Sequence, residues 1–485
     1  MHQKTNWTQF GTLISVFFFW GFVAASNDIL IPVFQEKFHL SQTQSQLVSF
    51  AFYIAYTVGS LIYVGISKAV GMDLLNKIGY KNGIAAGLVL SAIGTLLFYP
   101  AANTSSFVLM LSGLFIVGLG FSLQQIAANP LAIVIGDPKT GSQRLIMAGG
   151  VNNFGTTIGP LLVSFAIFGS ISNVHPIASI ESVKTPYLIL GLAFLLVAVF
   201  FKFSSIPNKI DLDHVNAAES VPAGDTLLVK KRSAISYPQL WLGMIGIFVY
   251  VGVEVSTASN LPKYLKTDLL IPTDKVAPFI SLYWASLMIG RWTGSVEAFN
   301  LKKTATNLLK LIMPYLAFGV FLGVNAIAKH DISPFYIYSL VIIAMIAGNF
   351  LSRGNPARML LIFATLGITA LIIGMLTSGM TSVYAFASVG LFCSTLWPCI
   401  FTLAVAGLGR HTNQGSSLLI MMIMGGGWIS LLQGKVSEIG AIGIHGSYIV
   451  GVACFAYLAF YAIRAKSLLK SQGIDYDALQ SAGGH

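Results

Sequence analysis

Apolar residues run along this chain in long blocks, broken by short polar stretches. The blocks lie near 9–34, 42–68, 83–102, 106–136, 142–169 and 185–204, and again near 238–266, 275–299, 305–328, 335–352, 356–377, 382–409, 414–437 and 445–466. A helix of about twenty residues crosses the bilayer hydrocarbon, whereas a barrel strand would alternate apolar and polar positions over about ten. The pattern predicts an all-α polytopic membrane protein with about 14 spans.

Six spans fill residues 1–204. A polar stretch, 205–236, then carries Pro207, Asp211, Asp213, Glu219, Pro222 and Lys230-Lys231-Arg232 and reads as a linker. Residues 237–470 hold the remaining spans, and 471–485 form a polar tail. The halves echo each other. Ala25-Ser26-Asn27 before Pro32 returns as Ala258-Ser259-Asn260 before Pro262, 233 residues on (260 minus 27). Gly141-Ser142-Gln143-Arg144-Leu145-Ile146-Met147 returns as Gly415-Ser416-Ser417-Leu418-Leu419-Ile420-Met421, 274 residues on (415 minus 141). The larger second offset implies an inserted helical hairpin, about 302–353, between the two echoes. Two six-helix bundles joined by a linker resemble transporters of the major facilitator type, whose substrate site lies at midplane between parallel repeats.

With an even span count both ends share one side. Lys68, Lys77, Lys81, Arg144, Lys230, Lys231, Arg232 and Arg410 fall on the side of the termini and linker, which the positive-inside rule makes cytoplasmic. Localisation in a bacterial inner membrane is expected.

Composition agrees: 55% of the 485 residues are apolar and 9% charged, with a mean hydropathy of +0.77. That leaves too little polar surface to cover a water-soluble globule. The formal charge of +11 is spread over short loops, which argues against a nucleic-acid partner. Cys393, Cys399 and Cys454 lie in apolar runs without metal-site spacing and read as small core residues. The first block is too long for a cleaved signal peptide and is expected to be retained. No phosphate loop, His-Glu-x-x-His or Gly-x-Ser-x-Gly occurs, so neither ATP-driven chemistry nor an enzyme is expected. Membrane lipid, a small substrate and a co-transported ion are the expected partners; the cofactor expectation is none, and a monomer is expected.

Candidate chemistry concentrates where polar groups enter apolar blocks. Asn27 and Asp28 close the first. A carboxylate in hydrocarbon costs about 2.5–3.5 kcal/mol, so Asp28 either serves a function or is hydrated at the helix end. Glu254 is the second intramembrane acid: a cation-coupling group, or a structural partner of Arg291 or Lys263. Gln124, Gln125 and Asn129 precede Pro130, and Gln125 and Asn129 share a helix face. Amides donate and accept, as neutral hydroxyls require, but they also serve as glue between helices. Asn152 and Asn153 follow Gly149-Gly150 in the same manner. Asn260 and Gln433 complete the polar set in the second half. Trp284, Trp397 and Trp428, with Trp20, Tyr53 and Tyr250, are candidates to stack on the ring of a ligand. Gly425-Gly426-Gly427 would loosen a helix where it bends. The loop Gly71 to Gly83 resembles the major facilitator motif of Gly, Asp and basic residues that locks the halves in one state, with Asp73 and Lys81 as its charges. Arg144, opening the fifth block, joins them as a gating candidate.

Asn27-Asp28-Ile-Leu-Ile-Pro32, Ala127-Ala128-Asn129-Pro130, Arg144-Leu145, Asn152-x-Phe154-Gly155, Tyr250 to Ser256, Trp397-Pro398-x-Ile-Phe401, Gly415-Ser-Ser and Gly425-Gly-Gly together resemble the fucose:proton symporter family and its glucose/galactose-transporting branch. The resemblance runs through nearly the whole chain outside the linker and inserted pair. It implies import of a monosaccharide driven by a cation, with Asp28 matching the acid that couples protonation to transport and Asn152 matching a sugar-contacting Asn. Gln125 departs from the fucose symporter, which has Glu there, and favours the hexose branch. A proton is the expected coupling ion; a sodium-coupled symporter and an exporter of small metabolites or drugs are the alternatives.

Overall fold

The computed structural model describes residues 5–37, 42–137, 140–168, 181–209, 233–272 and 276–481; within these, the side chains of 24–37, 42–49, 160–168, 181–183 and 479–481 lie outside the description. The N-terminal half contains α1 (Trp7–Lys37), α2 (Gln42–Val70), the short α3 (Leu74–Ile78), α4 (Tyr80–Leu96), α5 (Phe98–Asn103), α6 (Phe107–Val134), α7 (Gly141–Phe168) and α8 (Glu181–Phe203). The C-terminal half contains α9 (Pro238–Thr267), α10 (Ala277–Ser295), α11 (Lys303–Ile327), α12 (Tyr338–Ser352), α13 (Pro356–Leu376), α14 (Gly379–Cys393), α15 (Leu396–Val405), α16 (Thr412–Met421), α17 (Gly425–Ser437), α18 (Gly443–Gly446), α19 (Ile449–Ser471) and α20 (Tyr476–Ser481). The described residues are helical and carry no strand.

Local sequence explains several helix boundaries. Asp73 caps α3 by accepting the N–H groups of Leu75 and Asn76, Ser106 caps α6, and Asn355 caps α13 ahead of Pro356. Among the described residues, eleven helical segments are long and apolar enough to cross a membrane, fewer than the about 14 expected; α1 and α7 are described only in part. Large apolar side chains point outward, among them Leu196, Phe203 and Leu376 at 71%, 84% and 81% exposure. Such a surface is stable only against lipid.

The two halves pack alike. In the first, α1 lies on α7, α2 on α6, and α4 on α6 and α8; in the second, α9 lies on α17, α10 on α14, and α13 on α14 and α19. The correspondence reaches individual residues. Gly155 on α7 rests against Phe18 and Phe22 of α1, while Gly426 on α17 rests against Val251 and Val255 of α9, again 233 residues on (251 minus 18). α11 packs on α10 and α12, and α12 on α13 and α14.

The halves meet through α7 against α10 and α15, and through α2 and α6 against α16. At one end of the bundle lie the α2–α3 turn, the α6–α7 turn, the linker ends and the α15–α16 turn. There Ser416 Oγ donates to Ile126 O and Ser417 Oγ to Ser60 O, both at 3.2 Å, and Trp292 Nε1 donates to Gly150 O at 3.3 Å. Among the described residues, hydrogen bonds between the halves run from this linker end to about mid-helix, ending at Thr57 Oγ1 to Met421 O and Thr157 Oγ1 to Met288 Sδ. The linker end is closed.

Gly425-Gly426-Gly427 begin α17 directly after a 3-10 turn at Met422–Met424. The helix break precedes the glycines, and Gly425 is needed for contact instead: a Cβ there would stand 2.0 Å from Phe248 O.

Candidate functional site

Polar side chains of the N-terminal half line up where α1, α2, α6 and α7 converge. On α6, Gln125 Nε2 donates to Tyr56 OH of α2 at 3.2 Å, and the amide stays partly exposed. One turn on, Asn129 is 1% exposed and neither amide atom has a partner. Buried amides without partners are costly, so this side chain stands ready for a ligand, a water or a rearranged neighbour. On α7, Asn152 Nδ2 donates to Phe17 O at 3.0 Å and is partly exposed, while Asn153 is buried with Oδ1 unpartnered.

Gln124 behaves differently from its neighbour. Its Oε1 accepts Trp20 Nε1 at 2.9 Å and its Nε2 donates to Ser91 Oγ at 3.0 Å, with no exposed surface. It brackets α1, α4 and α6, and the direct sugar contact expected of it does not fit this placement. Asn27 and Asp28 lie on α1, about two turns beyond Trp20; their side chains are outside the described residues.

In the C-terminal half the centre is Glu254 on α9. Its Oε1 lies 4.0 Å from Arg291 Nη2, both side chains being largely buried. Arg291 also donates from Nε to Ser394 O at 2.9 Å, from Nη1 to Gly149 O at 3.2 Å and from Nη2 to Tyr250 OH at 3.5 Å, and Tyr283 OH donates to Glu254 O at 2.8 Å. Lys263, the other partner considered for Glu254, donates to Ser437 Oγ. Asn260 donates to Ser256 O within its own helix. Gln433 is 1% exposed and donates to Ser447 Oγ at 3.4 Å, which makes it a tie between α17 and the start of α19. Trp284 and Trp397 are partly exposed, the latter stacked on Phe401 with centroids 5.1 Å apart; Trp428 is 57% exposed.

The three gating candidates act at separate places. Asp73 Oδ1 accepts Asn413 Nδ2 from α16 at 3.0 Å, and Tyr63 OH at 2.9 Å, so it bridges the halves. Lys81 Nζ donates to Ser204 O at 3.2 Å, at the linker entry. Arg144 is fully buried and donates to Ala132 O, Asp137 O, Thr140 Oγ1 and Ile133 O, pinning the α6–α7 turn. Asn413, two residues before the echoed Gly415-Ser-Ser, and Tyr56 were not singled out by sequence. A polar residue beside an internal repeat was the available signal for Asn413; Tyr56 sits among apolar neighbours and gave none.

Residues 10–328 match the profile of the Major Facilitator Superfamily. The chain belongs to that superfamily. It is 33% identical over 464 residues to the glucose/galactose transporter of Brucella abortus biovar 1 (strain 9-941), with 95% of each chain covered. The L-fucose-proton symporter of Escherichia coli (strain K12) is 27% identical over 473 residues, covering 93% of this chain and 92% of the relative. Among solved structures, the Major Facilitator Superfamily transporter FucP in the outward conformation aligns with a TM-score of 0.67 at 25% identity, over 94% of this chain and 98% of that one. A membrane transporter of the sugar-transporting kind, all-helical in fold, is therefore the common ground of sequence and structure.

Proposed function

We propose that this chain imports a hexose of the glucose or galactose class, coupled to a proton gradient, by alternating access. The observation that carries the reading is the partly exposed pair of uncharged amides, Gln125 and Asn152, on neighbouring helices of a chain 33% identical over its length to a glucose/galactose transporter. Amides match neutral hydroxyls in both donor and acceptor demand. Asn129, with both amide atoms unpartnered, and the partly exposed Trp284 and Trp397 are proposed to complete the sugar site.

Asp28 and Glu254 are the proposed coupling acids. A ligand shifts a conformational equilibrium only through unequal affinity for the two states, so the proton must bind one state of the acid better than the other. Gln125 stands where the fucose symporter pattern has Glu, and that difference favours the hexose branch; two intramembrane acids, one per half, would also suit a sodium site, which is the second reading.

The proposed topology has fourteen spans, with α11 and α12 as a pair inserted between counterparts of the second and third N-terminal helices. Both termini and the linker are proposed to be cytoplasmic in a bacterial inner membrane. The closed linker end then faces the cytoplasm, making this an outward-facing form, consistent with the outward conformation of the aligned FucP structure.

The test is uptake of labelled glucose, galactose and fucose into proteoliposomes, with imposed proton or sodium gradients. Accumulation of glucose or galactose driven by the proton gradient is expected. Uptake driven only by sodium would move the coupling to the second reading, and no uptake of any hexose would refute the substrate class.

A further inference from the structure

Two carboxylates close the linker end, and they are placed alike. Asp73 follows the second helix of the N-terminal half and accepts the amide of Asn413, at the start of α16, at 3.0 Å. Glu297 follows α10, the second helix of the C-terminal half, in a 3-10 turn at Val296–Phe299. Its Oε2 accepts the amide Nε2 of Gln143, at the start of α7, also at 3.0 Å. Each acid thus takes an amide from the corresponding helix of the opposite half.

The two acids differ in what holds them. Asp73 is fixed by Tyr63 OH and by backbone N–H groups of its own α3. Glu297 is fixed by the ammonium of Lys310, which contacts Oε1. Lys310 belongs to α11, is 4% exposed, and lies over the Phe350 ring of α12 at 5.5 Å. A lysine buried this far is held in place by its partners. Gln143, itself 2% exposed, donates a second bond from Nε2 to Gly354 O at 2.8 Å, in the turn joining α12 to α13. Gly354 has φ +71°, and a Cβ there would stand 2.0 Å from Glu297 Oε2, so glycine lets that turn close over the carboxylate. One amide of the N-terminal half therefore meets an acid steadied by α11 and a carbonyl at the end of α12.

We propose that Glu297, Gln143 and Lys310 form a second latch of the linker-end gate, with the α11–α12 pair setting its strength. Lys310 is a positioning residue. With its charge on Oε1, the carboxylate keeps Oε2 turned to Gln143; without it, a partly exposed anion loses its counter-ion and turns to water, abandoning the contact between halves. The inference rests on the reading of the two halves as rocking bundles, but its test needs no sugar.

Spin labels on Lys77→Cys and Arg410→Cys, exposed positions at the linker end of the two halves, report the gate by pulsed dipolar distance measurement in nanodiscs. The native cysteines are buried. In the parent a short distance is expected to dominate. Gln143→Leu and Lys310→Met should each raise the ratio of long to short distances about tenfold or more, the scale of a lost hydrogen bond to a charged group. The double variant should exceed neither single one, because both act through Glu297, and Lys310→Arg should keep the parent distribution. If Lys310→Met and Gln143→Leu leave the distances unchanged while lowering thermal stability, Lys310 is a structural tie and the proposal fails. Should Lys310→Met not fold, Gln143→Leu, which removes no charge, decides alone. Sugar uptake assayed on the same samples separates the two readings: absent uptake with the expected distances refutes only the transport assignment.

Discussion

Arg291 Nη1 donates to Gly149 O across the boundary between the halves at 3.2 Å, while Nη2 of the same guanidinium lies 4.0 Å from Glu254 Oε1. One buried cation thus joins an intramembrane acid of one half to the backbone of the other. Separation of α7 from α10 at this level would take Gly149 O from Nη1 and leave the guanidinium with Glu254, Ser394 O and Tyr250 OH of its own half.

Arg291→Met should destabilise the protein by about 3 kcal/mol, because removing one partner of a buried pair leaves the other uncompensated. Glu254→Gln should cost less, since Arg291 keeps Ser394 O, Gly149 O and Tyr250 OH. The double variant should recover part of the loss of Arg291→Met. Thermal unfolding in detergent measures all three, and a double variant no more stable than Arg291→Met would mean that Glu254 and Arg291 are not coupled.

Gly21 on α1 sits against the backbone of α7 so closely that a Cβ would stand 1.9 Å from Asn152 O. Backbone cannot give way as a side-chain tip can, so Gly21→Ala must push α1 off α7 and displace Asn152 from Phe17 O. Loss of the folded monodisperse peak in size exclusion, or a fall in thermal stability of several degrees, is expected. Gly427→Ala, at a position with open space around its Cβ, should leave both unchanged and serves as the control.

The helical class and the paired organisation were legible because hydrocarbon imposes one period and one length on every span. The 233-residue offset found in Asn27 and Asn260 reappears as the Phe18 and Val251 contact pair, so the repeat was written in sequence even where the residues differ. The direction of side chains was less legible. Gln124 and Gln125 are neighbours with the same chemistry, yet a 100° turn of helix sends one into a buried bracket and leaves the other partly exposed. Gln433 reads as cavity lining in sequence and is a tie to Ser447 in the fold. The latch of Gln143, Glu297 and Lys310 joins residues far apart in the chain, and no local pattern marks such a meeting.

The polar tail after α19 folds back as α20. Asp477 accepts Asn355 Nδ2 at 2.8 Å and Arg358 Nη2 at 2.9 Å and pairs with Lys466 at 2.6 Å. Burial pushes the carboxyl of Asp475 up, but the N–H groups of Asp477 and Ala478 and the Lys470 ammonium outweigh it and hold the group below the usual carboxylate range. A depressed carboxylate stabilises the fold above its unfolded pKa, near 4, and loses that contribution as pH falls through the lower folded value. Hydrogen-exchange protection of residues 474–478 should therefore be flat from pH 7 to about 5 and fall below about 4. Asp477→Ala should lower it at every pH, by about 1 kcal/mol or less because these charges are half-exposed. Protection that rises on acidification would contradict the sign.

Coupling requires a group whose proton affinity differs between the two conformations, whereas exchange of sugar across the membrane requires only that the loaded carrier reorient. Asn keeps the shape and hydrogen-bonding capacity of a protonated carboxyl but cannot release a proton. Asp28→Asn should therefore abolish accumulation of hexose against a gradient and leave counterflow of labelled for unlabelled sugar partly intact. Glu254→Gln, assayed beside it, asks whether the second acid takes part in coupling. Loss of accumulation with counterflow retained would make Glu254 a coupling group, and unchanged accumulation would make it a structural partner of Arg291. Proteoliposomes with an imposed pH difference measure both modes in one preparation. Accumulation that persists in Asp28→Asn would remove the acid of α1 from the coupling mechanism.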